Sequence, residues 1–281
     1  MKSAILRPSF CLILAAVLFS LPFAAAAADL KPEEDKPGND GWVSLFNGKD
    51  FTGWYTYLDS SGKNKDPKGV FKVENGMIHI LDVPLSDGKT PDGKSDNGYL
   101  ATTQDFSNVR IHAEYKWGVK RATEGKRNSG LLYLAVGSDA IYPTSLECQI
   151  EETDVGDLWI VNGASVTAFF IAPSMPMYDD DMQAGTRVRS APGDSLRVLK
   201  SGDFENRDGW NTVEVIIQGD RSTHLVNGRI VNNARDIKRP DPNNPSHMIP
   251  LTSGRILLEA EGSEIWFRDI RIKPLGPSEK P

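Results

Sequence analysis

Residues 145–151 read Ser145-Leu-Glu-Cys-Gln-Ile-Glu151, and in this stretch polar and apolar residues alternate strictly. Side chains of a β-strand point to opposite faces with a period of two, so the apolar residues are predicted to enter a core. The polar residues share the other face: Ser145, Glu147, Gln149 and Glu151. This face fits either a solvated antiparallel strand or, if it lines a groove, paired carboxyls for acid/base chemistry on a sugar.

The rest of the chain repeats this strand signature. Val109–Trp117 alternates over nine residues, and the dipeptides Asn75-Gly76 and Asn227-Gly228 stand between alternating runs, which is typical of tight hairpins. Further strands are predicted at 131–136, 166–171, 212–218, 223–226, 255–260 and 265–272. No segment shows an amphipathic helical period over three turns. The sequence therefore predicts an all-β fold, a jelly-roll sandwich of two curved antiparallel sheets.

The chain divides into four parts by composition. Residues 1–28 combine a basic start, an apolar run and an Ala-rich end, which indicates a cleavable signal peptide and a mature chain from about Asp29. Residues 29–40 are polar and predicted to be a disordered leader. Residues 41–274 form a single predicted domain, and residues 275–281 a tail. The predicted location is the periplasm or the cell exterior.

Charge and cysteine content exclude several classes of protein. The formal net charge is -6 and the basic residues are scattered, so nucleic acid is not an expected partner. No stretch after residue 28 is apolar enough to span a bilayer. Cys11 lies in the signal peptide, which leaves Cys148 as a single thiol without a disulfide partner, predicted to be buried in the core.

A resemblance to a known family begins at Trp42-Val-Ser-Leu-Phe-Asn-Gly-Lys-Asp-Phe-Thr-Gly-Trp54. It continues through shorter motifs in the same order: Glu114–Trp117, Asn128–Gly130, Glu147–Ile150, Gly156–Trp159, Trp210-Asn211, His224–Gly228 and Ile265–Ile272. Over about residues 41–274 the chain resembles the 3-keto-disaccharide hydrolase domain family. The resemblance implies a concanavalin A-like jelly roll that acts on glycosides oxidised at C3, where the ketone acidifies the C2 proton and permits elimination followed by hydration.

The resemblance also implies roles for particular residues. Glu147 becomes the first candidate for the catalytic acid/base, and Gln149 shares its motif. Lys116 stands where the family has Arg or Lys, and it could polarise the C3 carbonyl or belong to a cross-strand charge ladder. Asn128 and Ser129 match the family's "NSG" turn at the groove and suit sugar hydroxyls.

Two further residues complete the predicted site. Glu151 lies on the same strand face as Glu147 and is a second catalytic candidate, unless a bulge near Glu151-Glu152 rotates it away. Trp159 follows an acidic loop and is predicted to be a sugar-stacking platform, although most tryptophans of the chain are expected in the core.

No cofactor requirement is visible in the sequence. The histidines are dispersed without metal-ligand spacing, so no metal site is assigned. Carboxylates in one loop could bind Ca²⁺ or form a solvated turn: Glu152, Asp154 and Asp157.

Three functions remain open from the sequence. The first is a secreted enzyme that cleaves 3-keto glycosides, with a saccharide as its partner. The second is a non-catalytic carbohydrate-binding jelly roll, because such sandwiches host enzymes and binders alike. The third is a conventional glucanase, which Gln149 disfavours because jelly-roll glucanases carry Asp at the matching position of their E-x-D-x-E strand.

Overall fold

A computed structural model describes residues 40–80, 97–118, 125–172, 175–179 and 185–276. These residues form strands and connecting turns, and they contain no helix. In chain order the strands are β1 (Val43–Ser44), β2 (Trp54–Leu58), β3 (Gly62–Lys63), β4 (Phe71–Glu74), β5 (Met77–Ile80), β6 (Gly98–Thr102), β7 (Val109–Trp117), β8 (Asn128–Val136), β9 (Thr144–Glu151), β10 (Leu158–Val161), β11 (Ser165–Ala168), β12 (Phe170–Ala172), β13 (Met175–Tyr178), β14 (Thr186–Arg189), β15 (Ser195–Val198), β16 (Asn211–Gln218), β17 (Arg221–Val226), β18 (Arg229–Asp241), β19 (Asn244–Pro250), β20 (Arg255–Ala260) and β21 (Ile265–Pro274).

Two large antiparallel sheets pack face to face. The eleven-stranded sheet has the order β14-β11-β18-β17-β16-β7-β21-β5-β4, with β1 on β21 and β19 on β18. The eight-stranded sheet has the order β15-β10-β9-β8-β20-β6-β2-β3, and β12 and β13 form a small separate ribbon. One continuous apolar core contains side chains from both sheets, so the all-β sandwich predicted from the sequence is confirmed.

The stretch 145–151 folds as its alternation predicts. It forms most of β9, where Leu146, Cys148 and Ile150 are fully buried in the core between the sheets. Glu147 and Gln149 point the other way, to the face of the eight-stranded sheet that looks away from the core. We call this face the distal face, and its position follows directly from the period of two.

The hairpin predictions are confirmed, and one strand prediction is wrong. Asn75-Gly76 and Asn227-Gly228 both take positive φ, which lets them close β4–β5 and β17–β18 as two-residue turns. The single strand predicted at 166–171 is two strands, because β11 pairs in the eleven-stranded sheet whereas β12 turns away to pair with β13.

The motif at Trp42–Trp54 contains β1 and the loop that joins it to β2, and we name this loop the Asn47 clasp (residues 45–54). The Asn47 Oδ1 atom accepts hydrogen bonds from the backbone N–H groups of Lys49 and Asp50 at 2.8 and 3.0 Å. The Asp50 carboxylate accepts the Thr52 N–H at 2.9 Å, and the Trp54 indole donates to the Leu45 carbonyl at 2.6 Å. The polar residues of the motif therefore bind the loop to itself.

Several sequence predictions concern residues outside the described part of the chain. They are the signal peptide (1–28), nearly all of the leader (29–40) and most of the tail (275–281). Within the described part, no helix has the length and apolarity needed to cross a bilayer.

Candidate active site

Carboxyl groups from β9 and β20 meet on the distal face. Glu147 stands on β9 between Leu132 of β8 and Trp159 of β10. On β20, Ile256, Leu258 and Ala260 point into the core, so the residues between them face the distal side. Glu259 is one of these and only 1% of its surface is exposed, against 7% for Glu147. Two buried carboxyls on strands that flank β8 thus face the same side.

Gly130 on β8 leaves room for these two carboxyls. A Cβ atom at this position would lie less than 3.0 Å from both Glu147 Oε1 and Glu259 Oε2, a separation that real Cβ atoms essentially never show. The two carboxyl oxygens therefore approach the space above the glycine from the strands on either side. Because both lie within 3.0 Å of this one point, they are less than about 6 Å apart. Glycine is required here because any side chain would occupy the space between them.

A second layer of polar groups surrounds the pair. Gln149 stands opposite Gly130 and is 5% exposed. Glu261, just past the end of β20, accepts hydrogen bonds from Asn128 Nδ2 and, at 2.7 Å, from the Tyr142 hydroxyl. These two bonds fix the orientation of Glu261 beside the carboxyl pair.

Six buried polar atoms on the distal face have no hydrogen-bond partner. They are Asn128 Oδ1, Glu147 Oε1, Gln149 Oε1, Trp159 Nε1, Glu259 Oε1 and Glu259 Oε2. Because buried polar atoms in folded proteins nearly always have partners, six such atoms from four adjacent strands mark a place where ordered water or a polar ligand supplies the missing bonds. The distal face is therefore the strongest candidate for a polar ligand site among the described residues.

Burial and neighbouring charges raise the pKa values of the carboxyl cluster. The pKa of Glu147 is raised well above its ordinary value by burial first and then by the charges of Glu261, Glu151 and Asp157. Burial also raises the pKa of Glu259, followed by the charges of Glu147 and Glu261. Two carboxyls this close do not both ionise at neutral pH. The pair can thus offer a proton from one group and accept one at the other.

A cation and an indole form one edge of the site. Arg197 on β15 stands opposite Trp159, and its guanidinium carbon lies 5.6 Å from the indole centroid. Arg197 is itself held by Asp154 at 2.8 Å and by Asp157. The positive charge of Arg197 opposes the rise in the pKa of Glu147.

Tyrosines form the opposite edge. Tyr57 stacks on Tyr99 with ring centroids 5.2 Å apart, and Tyr142 lies 6.4 Å from Tyr99. The hydroxyls of Tyr55 and Tyr99 donate to Asp139 at 2.6 and 2.9 Å. The distal face therefore changes from acidic groups to aromatic ones across its width, an arrangement that suits a saccharide with hydroxyls and apolar ring faces.

The structure brings together five of the seven site residues predicted from the sequence. Glu147, Gln149, Asn128 and Trp159 all contribute unpartnered atoms to the distal face. Glu151 ends β9 opposite Asn128 on the same side without a bulge, and burial raises its pKa. These placements show proximity, and the catalytic roles remain proposals.

The structure places Ser129 and Lys116 elsewhere. Ser129 lies within β8 rather than in a turn, and the alternation turns its fully buried side chain to the core side, where it donates to the Glu259 carbonyl at 2.9 Å. Lys116 lies on β7 of the eleven-stranded sheet and is exposed on the surface away from the core. Neither side chain reaches the carboxyl pair, because one points inward and the other belongs to the opposite sheet.

The three acids considered for Ca²⁺ are each paired with a cation. Glu152 pairs with Arg127 at 3.3 Å, Asp154 with Lys126 and Arg197, and Asp157 with Arg197. The calcium interpretation stays a prediction. Within the described part of the chain, a different group of side chains could hold a metal ion. Its potential ligand atoms lie within 4.8 Å of one another on the eleven-stranded sheet, and they belong to His112, Glu114 and Asp269.

Sequence reasoning missed Glu259, Glu261 and Arg197. The signal for the two glutamates was present, since Leu257-Leu-Glu-Ala-Glu261 carries an E-x-E pattern like that of β9. Nothing in the sequence shows that β20 pairs with β8, from which it is separated by more than a hundred residues. Long-range pairing, rather than local pattern, decides which acids meet.

Comparisons with known proteins agree with this architecture. The chain is 24% identical over 263 residues to the 3-keto-disaccharide hydrolase of Bacteroides thetaiotaomicron, covering 84% of this chain and 79% of that protein. Among solved structures, it is similar to a Parabacteroides distasonis protein assigned to the glycosyl hydrolases, with 22% identity, a TM-score of 0.50 and coverage of 84% and 94% of the two chains. This structural likeness shows the fold alone.

The sequence profile of one family extends over nearly all of the described fold. It is the profile of the 3-keto-alpha-glucoside-1,2-lyase-like domain, and it matches residues 41–273. The match includes both sheets and each carboxyl of the distal face. The chain therefore belongs to the family of 3-keto-alpha-glucoside-1,2-lyase-like domains.

Proposed function

We propose that this protein cleaves glycosides whose sugar carries a ketone at C3, with Glu147 and Glu259 as its acid/base pair. The observation that carries the proposal is the pair of buried carboxyls over Gly130, surrounded by polar atoms without partners. The family, and the relative named for hydrolysis of 3-keto disaccharides, support the choice of substrate.

The carboxyl pair supplies what an elimination needs. The ionised member removes the C2 proton, and the electron pair of the C–H bond forms an enolate with the C3 ketone. The enolate then expels the aglycone from C1, and the protonated member gives its proton to the departing oxygen. The product is an enone with a C1=C2 double bond.

Hydration completes the reaction and restores the enzyme. Water adds at C1 as the carboxyl that gave up its proton takes one from the water, and the other carboxyl, having exchanged its proton with solvent, delivers one to C2. The net reaction converts one glycoside and one water into a 3-keto sugar and a free aglycone. One proton shared between two close carboxyls serves both halves of this cycle.

An NMR time course in D₂O tests the proposal. The mature protein is incubated with 3-keto-trehalose and, separately, with unoxidised trehalose. We expect release of 3-keto-glucose carrying deuterium at C2, corrected for exchange without enzyme. Glu147→Gln and Glu259→Gln should each lower the rate by about 10²-fold or more, since each removes one acid/base group.

Glu114→Gln is the matched control, because Glu114 pairs with Arg268 at 2.6 Å on the opposite sheet. This variant should keep the wild-type rate. Full activity in either of the other two variants would overturn the assignment of the carboxyl pair. Saccharide affinity without release of any product would instead favour the alternative function, a non-catalytic carbohydrate-binding jelly roll.

The carboxyl spacing favours one second candidate, conventional hydrolysis of unoxidised glycosides. Retaining glycosidases hold two carboxyls about 5 Å apart, and the separation over Gly130 is compatible with that value. Release of glucose from trehalose in the same experiment would support this candidate. Release from the 3-keto substrate alone would exclude it for trehalose.

The place of action follows from the predicted signal peptide, which lies outside the described residues. We propose that the mature protein acts in the periplasm or outside the cell. The intact mass of the exported chain tests this, since a mature protein that still carries residues 1–28 would contradict it.

A further inference from the structure

The unpartnered atoms of the distal face differ in kind. Five of them are oxygens of carboxyl or amide groups, which accept hydrogen bonds except where a carboxyl is protonated. The sixth is Trp159 Nε1, and an indole N–H can only donate. On the described part of the distal face it is the one buried permanent donor without a partner. A substrate atom placed there must therefore be an acceptor.

The position of Trp159 relates this donor to the acid/base pair. Trp159 on β10 stands directly opposite Glu147 in the antiparallel register. Directly opposed residues on one sheet face have Cβ atoms about 4.5–5.5 Å apart, so one small group can contact both side chains. In the proposed substrate, C2 and the C3 oxygen are separated by two bonds. Their spacing therefore suits a base at Glu147 and a donor at Trp159.

Arg197 packs against the face of the Trp159 indole ring. Its guanidinium lies over the indole ring at 5.6 Å and is itself bound by Asp154 and Asp157. This contact occupies ring surface that a stacked sugar would otherwise use. The N–H edge, which is buried and lacks a partner, is therefore the part of Trp159 with an unmet hydrogen bond.

We propose, resting on the proposed function, that the Trp159 indole N–H donates a hydrogen bond to the C3 carbonyl oxygen of the substrate and stabilises the enolate. When the base takes the C2 proton, the C–H electron pair becomes a C2=C3 bond and the carbonyl π electrons move to the C3 oxygen. The indole keeps its proton throughout. As the aglycone leaves, the carbonyl re-forms and the electrons shift to C1=C2, so no further reactant is needed.

The effect belongs to the transition state rather than to substrate binding. A C3 hydroxyl or ketone can accept the same hydrogen bond, but only the enolate carries a full negative charge on that oxygen. A donor fixed in a buried site stabilises such charge most. Trp159 is therefore a catalytic residue in this proposal, and Arg197 is a positioning residue that acts through it.

The test separates enolate formation from cleavage. The probe is 1,5-anhydro-3-keto-glucitol, which has an acidic C2 proton but no aglycone to lose. C2 exchange in D₂O is followed by NMR, and kcat and KM are measured separately for 3-keto-trehalose. Trp159→Phe, which keeps a ring and removes the N–H, should lower both the exchange rate and kcat by about 10²–10³-fold. The value of KM should stay within about threefold, because the hydrogen bond is much stronger to the enolate-like transition state than to the bound ketone.

Trp210→Phe is the matched control. Trp210 also stacks with an arginine, Arg268 at 3.8 Å, but it belongs to the other side of the sandwich. This variant should exchange and cleave as the wild type does. Near-wild-type exchange in Trp159→Phe, or a loss confined to KM, would overturn the proposal and favour a stacking role. Because Phe can also disturb packing, thermal unfolding of each variant is measured alongside.

Arg197→Met provides a second, independent readout. Removal of the positive charge that lowers the pKa of Glu147 should move the acidic limb of the pH–rate profile to higher pH. A change in rate without a shift of the pH–rate profile would contradict the assigned effect of the Arg197 charge on the pKa of Glu147. Wild-type protein that neither cleaves 3-keto-trehalose nor exchanges the probe would refute the proposed function and this inference together. Cleavage with an unaffected Trp159→Phe variant would refute the inference alone.

Discussion

At the scale of single residues, the acid pair over Gly130 combines a catalytic arrangement with a cost in stability. Glu147 and Glu259 are almost completely buried, and burial raises the pKa of each. In the unfolded chain the same groups ionise above about pH 4.3. Between that pH and the raised pKa values, the unfolded state has lost protons that the folded state still holds. Folding stability should therefore fall as the pH rises through this range.

The corresponding prediction concerns stability rather than rate. Glu147→Gln and Glu259→Gln each replace a carboxyl by a neutral amide of similar shape, so each should increase the free energy of unfolding at pH 8 by about 1–3 kcal/mol. At about pH 3, below the pKa of the unfolded carboxyls as well, both states are protonated and the difference should nearly vanish. Urea denaturation at the two pH values measures this. Equal or lower stability of both variants at pH 8 would contradict the raised pKa values.

The sequence was informative about individual residues only where strand alternation decides on which face of the strand a side chain lies. It placed Glu147 and Gln149 together and Cys148 in the core, as observed. It could not place Lys116, because alternation separates the two faces of a strand without showing to which sheet the strand belongs. Ser129 was misplaced because Asn128–Gly130 was taken as a turn, whereas these residues begin β8.

At the scale of the strand, β8 contributes a glycine, Gly130, whose missing side chain leaves space for the two carboxyls. Gly130→Ala would insert a Cβ atom closer than 3.0 Å to two carboxyl oxygens, which are the movable ends of long side chains. The two buried carboxyls must shift to make room, so the free energy of unfolding should fall by about 1–3 kcal/mol. Displacing reacting groups by about 1 Å can cost about 10² in rate, so activity should be largely lost.

Gly125→Ala is the control for this prediction, because nothing lies within 4 Å of a Cβ there and its φ is not in the left-handed region. Cleavage of 3-keto-trehalose and urea denaturation are measured for both variants. A Gly130→Ala protein with wild-type activity would show that the carboxyls need not meet over this glycine.

Individual strands were more predictable than their partners. Hairpins are encoded locally, and the two Asn-Gly turns fixed the pairs β4–β5 and β17–β18. The pairing of β20 with both β8 and β6 joins segments far apart in the chain. Such pairs are selected by packing of the complete sandwich, and no local pattern reports them.

At the scale of the whole molecule, a buried hydrogen-bond chain connects the two sheets. The Tyr133 hydroxyl of β8 meets Ser222 and His224 of β17, each at 2.8 Å, and His224 Nδ1 lies 3.1 Å from the Gly156 carbonyl. Burial lowers the pKa of His224 to about 4 despite the bond to Gly156, so the ring is neutral at pH 7. Its Nδ1–H then donates to Gly156, and its Nε2 accepts from Tyr133.

Removal of the tyrosine hydroxyl should loosen this connection. Tyr133→Phe leaves His224 Nε2 and the Ser222 hydroxyl buried without that partner, so the free energy of unfolding should fall by about 1–3 kcal/mol. Tyr57→Phe is the control, since the Tyr57 hydroxyl makes no hydrogen bond within the described residues. Urea denaturation at pH 7 compares the two variants. Equal stabilities would show that the chain between the sheets contributes nothing measurable.

The Asn47 clasp bears on how genes of this kind are recognised. Its most distinctive side chains are engaged with the backbone of their own loop, and none of them belongs to the carboxyl cluster. A genome survey that relies on this motif therefore retrieves proteins that share a scaffold, including any that have lost or exchanged their chemistry. Homologues should instead be sorted by the positions equivalent to Gly130, Glu147 and Glu259. Members with an intact clasp and an altered triplet are the ones to assay for new substrates.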